Sequence, residues 1–212
     1  MLGEWAPVDV EAPGMDFAER LGLWLNAFDA IGLEAALRSI QAIETAPPRA
    51  PSDGQRTGTG TLHEDFGRVR SALAHAIARE LAPTVGEMPA DADYSRYQQR
   101  HAALQRQMEQ MIGPLRAQVR QAIGGAGPKL RQLAALDAAL EPVLAPREQA
   151  LLPTATALMA RRFEQLRGTA EPGWEPAFSA QWREALLAEL DLRLAPVAGL
   201  IEALGNQQKN RP

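Results

Sequence analysis

Cysteine is absent from the 212 residues, which excludes disulfides, thiolate nucleophiles and cysteine-ligated metal sites together. Aromatic side chains are sparse, at 5%. Alternation of apolar and polar residues with period two does not occur, so half-buried strands are not an organising element. No run approaches the ~18 apolar residues of a membrane span. The opening MLGEWAPVDVEAPG is acidic and broken by prolines, without the basic and apolar regions of a secretory signal. A soluble, cytoplasmic protein is the expectation. A chain of this length buries roughly 70% of its unfolded surface, so one domain with one core is expected.

What the chain has in quantity is helical periodicity. From Trp182 to Leu204, at about 100° per residue, Trp182, Leu186, Leu190, Val197, Leu200, Ile201 and Leu204 fall on one face. This stripe is the widest in the chain and predicts a central last helix over about Pro176–Leu204, kinked at Pro196, with a tail over 205–212 that frays. Four or five earlier segments read as helices that cover it. Residues 1–15 read as an irregular arm, and the bundle spans 16–204. The first helix starts at Asp16 and carries Phe17, Leu21, Trp24, Phe28, Ile31 and Ala35 on one stripe, which rotates to Leu37 and Ile40 and so implies a bend near Gly32 or burial on more than one side. Residues 45–60, rich in Pro, Gly, Ser and Thr, are expected to form a flexible linker.

Thr61 and Glu64 have capping-box spacing for a helix with Phe66, Val69, Leu73, Ile77 and Leu81 inward, and residues 83–92 read as a second linker. Asp93 is the expected cap of a helix over Tyr94–Ile123, with Tyr97, Leu104, Met108, Met111, Leu115 and Val119 as its stripe and a kink at Pro114. After Gly124–Gly127, Pro128 suits a first turn, and Leu130, Leu133, Leu136, Leu140 and Leu144 face inward. Pro142, Pro146 and Pro153 predict a break near Ala145, before a further helix to Arg167. The fold class is all-α: a bundle of five to six helices, some proline-kinked.

The segments FAERLGLWLNAFDAI, ALAHAIARE, YQQRHAALQRQMEQMIGPLRAQVRQAI, LDAALEPVLAPREQALL and WREALLAELDLRLAPVAGLIEAL together resemble a bacterial family of all-helical proteins of unknown function. Genes of that family lie near those of stator-like inner-membrane proteins and peptidoglycan-binding, outer-membrane-protein-A-like proteins. The resemblance implies an accessory role in a cell-envelope complex and supplies no catalytic residues.

Catalytic and metal chemistry fail on spacing. His63-Glu64-Asp65 lacks the second histidine four residues on, where Gly67 stands. Neither His75 nor His101 follows a glutamate by three, as di-iron bundles require, and His75 falls opposite the stripe of its helix. No Gly-x-Ser-x-Gly occurs, and Gly58–Gly60 lacks the strand and lysine of a phosphate loop. Neither a cofactor nor a metal is expected.

Charge is unevenly placed. Residues 1–44 have net charge −6, residues 94–132 net +6 and residues 168–204 net −4. A basic middle between acidic ends indicates internal complementarity or a docking surface. Arg106, Arg116 and Arg120 project away from the stripe of their helix and are candidate interaction residues, for a protein partner or, as the alternative, for nucleic-acid phosphates. The acidic whole and the lack of interleaved aromatics favour protein. A second group consists of polar residues that land on apolar faces: Asp29, His101, Arg162, Glu189 and Arg193. Buried charges are costly unless paired, so these residues neutralise one another in the interior, extend their stems to solvent, or line a small-molecule pocket. Met108 and Met111 continue core spacing and read as packing. A non-catalytic, protein-binding helical protein is the leading functional expectation.

Overall fold

The structure, a computed structural model, describes residues 19, 22–23, 25–45, 58–80, 94–169 and 172–209. Among them it places five helices of defined extent, α1 (Ala27–Thr45), α2 (Thr59–Glu80), α3 (Tyr94–Gly124), α4 (Pro128–Thr169) and α5 (Trp174–Lys209), with further helical residues at Glu19, Gly22 and Leu23 and no strand. The expected N-terminal arm, the Asp93 cap and most of both linkers lie outside the described residues.

The centre of the bundle is α5. Phe178, Trp182, Leu186, Leu190, Leu194, Val197, Leu200, Ile201 and Leu204 are all buried, and the helix packs against α2, α3 and α4 at once. Every apolar residue of the expected stripe is in this core. The helix also runs on to Lys209, so residues 205–209 are ordered helix rather than a fraying tail. Two contacts account for that extension. Thr59 Oγ1 donates to Gln208 Oε1 at 2.7 Å, and Gln207 lies so close to the α3–α4 turn that a Cβ on Gly127 would sit 2.7 Å from its Nε2. Glycine is needed there for close approach.

α3 buries Tyr97, His101, Leu104, Met108, Ile112, Leu115, Val119 and Ile123, with Met111 at the edge of the core. It passes through Pro114 without ending. α2 begins two residues before the expected capping box, the Leu62 amide donating to the Gly58 carbonyl, and Leu62, Leu73 and Ile77 are buried. Six of the aromatic residues gather at one end of the bundle. Tyr97 meets Phe178 edge-on at 4.9 Å and Trp182 at 5.5 Å, and Phe163 meets Phe178 at 5.1 Å and Trp174 at 5.2 Å. Tyr94 stacks on Phe163 at 5.6 Å and donates its hydroxyl to the Thr156 carbonyl at 2.8 Å. Burial pushes its phenol up to about 12.

Two sequence expectations fail. The break near Ala145 does not occur, and α4 continues from Pro128 to Thr169. Pro142 and Pro146 are one turn apart on the exposed side, so the carbonyls that lose a helical donor there face water. α4 then turns into α5 through Gly173, whose φ of 89° strains any L side chain. The second failure concerns the first helix. The expected run from Asp16 is interrupted at Leu25 and Asn26, and α1 starts afresh at Ala27. Its start is fixed by a reciprocal cap: the Asp29 amide donates to Asn26 Oδ1 at 2.9 Å, and the Asn26 amide to Asp29 Oδ2 at 3.2 Å. The face that α1 turns to α4 consists of Leu33, Ala36, Ile40 and Ile43, all half-buried, with Gln132 Nε2 donating to the Ile40 carbonyl. The expected inward stripe points out, with Phe28 86% and Ile31 66% exposed.

Candidate functional site

Three arrangements draw together the polar and exposed apolar residues of the described chain. The first is centred on Glu189 of α5. His101 of α3 is buried, and its Nε2 lies 3.2 Å from Glu189 Oε2. Since a carboxylate only accepts, Nε2 carries the proton. Gln105 Nε2 donates to both carboxylate oxygens at 3.1 and 3.2 Å. Arg193 donates through Nε at 2.9 Å, and its second nitrogen lies 2.8 Å from the same oxygen. Arg193 also reaches towards Glu109 at 3.9 Å. Burial alone would raise the Glu189 carboxyl. The His101 hydrogen bond, the Arg193 charge and the Gln105 amide together outweigh it and hold the carboxyl below the usual carboxylate value. Two buried atoms beside this node have no hydrogen-bond partner, His101 Nδ1 and Trp182 Nε1.

The structure therefore brings together three of the five misplaced polar residues, His101, Glu189 and Arg193. The other two are elsewhere. Asp29 is at the surface in the α1 cap, because the first helix is broken just before it. Arg162 belongs to the aromatic end, its Nε donating to Gln181 Oε1 at 3.2 Å. Gln105, Glu109 and Gln181 complete these contacts and carry no sequence signal beyond helical spacing.

The second arrangement lies between α3 and α4. Arg116 grips Asp137 with two donors, at 2.9 and 2.6 Å, and its remaining nitrogen is 3.7 Å from Glu141. Arg120 reaches Asp137 at 3.2 Å and pairs with Glu141. Arg116, Arg120 and Asp137 are largely buried by the contact. Thus two of the three candidate interaction arginines serve an internal helix–helix seam, and Arg106 is the one that remains exposed. Asp137 and Glu141 escaped the sequence reading. Their signal is that two acids four apart and two arginines four apart flank one short turn at similar distances, and folding the hairpin brings them level.

The third arrangement is the outer face of α1. Among the described residues the exposed large apolar side chains are Leu23, Phe28, Ile31, Leu37 and Leu192; all but Leu192 belong to α1 or the residues just before it. A groove of about 480 Å³ between α3 and α4, with Tyr94, Gln98, His101, Gln105 and Thr156 in its walls, backs onto the Glu189 node and contains no carboxylate, lysine or arginine. Among the described residues no three His, Asp or Glu side chains are placed to hold a metal ion. No described helix is long and apolar enough to cross a membrane.

These features define an all-α bundle whose interior charges are mutually neutralised and whose one concentrated apolar exposure is a helix face. The chain belongs to the family described as Protein of unknown function (DUF3348), whose model matches residues 1–206. No curated protein and no solved structure matches it.

Proposed function

We propose that this chain is a non-catalytic helical protein that binds another protein, with α1 as its docking element. The observation that carries this reading is the outer face of α1. Large apolar patches exposed on a soluble protein mark interaction sites, whereas singly scattered apolar residues, such as Leu192, are ordinary. The internal use of Arg116 and Arg120 supports a protein partner over nucleic acid, since it removes two of the three side chains proposed for phosphate contact. The neutralised Glu189 node supports a structural role for the buried charges. A role as accessory subunit of a cell-envelope complex is supported by the family resemblance alone.

Cross-linked affinity capture from the native cell tests the docking role. A protein captured by the unaltered chain should be lost with Phe28→Ser/Ile31→Ser, substitutions between residues of similar helix propensity at exposed positions. Arg106→Glu separates the two candidate surfaces. Loss of the partner with Arg106→Glu and its retention by the α1 variant would move the docking surface to α3 and overturn the reading.

A further inference from the structure

We infer that the occupant of the outer α1 face is an amphipathic helix of another protein, with Lys or Arg flanking its apolar stripe. This inference rests on the docking role proposed for α1 and names the class of partner. Its first support is spacing. The outward apolar positions Phe28, Ile31, Ala35 and Ala42 recur at intervals of three, four and seven, and Arg38 fills the place between the last two. That 3–4 repeat is the period at which one helix packs along another. The face turned to α4 is centred some 130° away around α1, by the ~100° per residue of an α-helix, so the two can be occupied together. Arg38 does not spoil the outer seam, because it pairs along its own helix with Glu34 and leaves its aliphatic stem over the apolar surface.

Charge decides between occupants. Residues 1–44 contain eight acids and two bases, so the segment around this face is strongly acidic. An anionic lipid surface attracts basic, not acidic, amphipathic helices, which removes the membrane as an occupant. A second copy would set net −6 against net −6, a like-charge juxtaposition that opposes association. A helix with basic flanks satisfies the apolar seam and the charge together.

The test uses the full-length protein and three synthetic peptides of about three heptads. The first has leucine at 3–4 spacing and lysine on the flanks. The second has the same composition in scrambled order, and the third replaces lysine with glutamate. Fluorescence anisotropy at about 0.15 M salt, where the Debye length is about 8 Å, should show the first peptide binding about tenfold or more tighter than either control, a gap of about 1.4 kcal/mol. Phe28→Ser/Ile31→Ser should abolish the difference, with helicity unchanged by circular dichroism, and the free protein should sediment as a monomer. Equal binding of patterned and scrambled peptides would reduce the effect to bulk charge and overturn the inference. So would binding insensitive to the double substitution, no binding at all, or a dimer that the substitutions dissociate. A captured partner lost with the α1 variant but lacking a basic helix would overturn this inference and leave the docking role standing.

Discussion

Glu189→Leu is expected to destabilise the fold by about 3–5 kcal/mol, the range for breaking a buried ion pair from one side. The loss comes from stranding its donors. Arg193 keeps only the long approach to Glu109 at 3.9 Å, while His101, buried beside Trp182, loses the partner of its Nε2 and has none at Nδ1. Replacing Glu189 and Arg193 together by leucine should recover much of the loss, since apolar replacement of a buried pair is often neutral or better. A double-mutant cycle read by unfolding isolates the coupling, and near-zero coupling with unaltered stability would contradict the arrangement. The pH dependence follows from the same contacts. A carboxyl held below its ordinary value of 4.5 in the fold stabilises the folded state above that value, and the contribution is lost as the pH falls through the folded-state value. The melting temperature should therefore fall below about pH 4.5 more steeply for the unaltered protein than for Glu189→Gln. Parallel curves would show that Glu189 is not held in this way.

Trp182→Ala should cost about 3–5 kcal/mol, as large aromatic truncations in a core do. Trp182 is fully buried and bridges the ring of Tyr97 to that of His101, so the cavity left behind would lie between α3 and α5, where the bundle cannot collapse without moving both. Trp182→Phe separates volume from polarity. Because the indole Nε1 has no partner, removing the N–H strands nothing, and the residual cost should come from the lost ring volume alone. Unfolding of the two variants checks this. A cost for Trp182→Phe equal to that for Trp182→Ala would mean that the indole N–H is the significant contribution.

The core of α5 was legible because one helix, packed on three sides, leaves a wide and regular stripe. The same rule read Leu104, Met108, Leu115 and Val119 on α3 correctly. It failed on α1, where Phe28 and Ile31 are more regular and more apolar than Leu33 and Ile40 and yet face outward. Periodicity reports that a face will be covered, not whether this chain or another does the covering. The continuity of α4 was missed because three prolines were weighed by number, whereas the placement of Pro142 and Pro146 on the wet side decides the matter. The pairing of His101 with Glu189 needed the register of α3 against α5, which no single helix contains. The match of Arg116 and Arg120 with Asp137 and Glu141 could have been found from the hairpin alone.

Hydrogen exchange across residues 27–45, compared between two double variants, tests most directly whether α1 is held by one face and offers the other. Phe28→Ser/Ile31→Ser should leave the protection of the α1 amides as in the unaltered protein, since exposed substitutions stay within about 0.5 kcal/mol. Leu33→Ala/Ile40→Ala should strip that protection, because those side chains form the contact with α4. If the outer pair lost protection as fully as the inner pair, the outer face would be part of this protein's own core and α1 would have no surface to offer a partner.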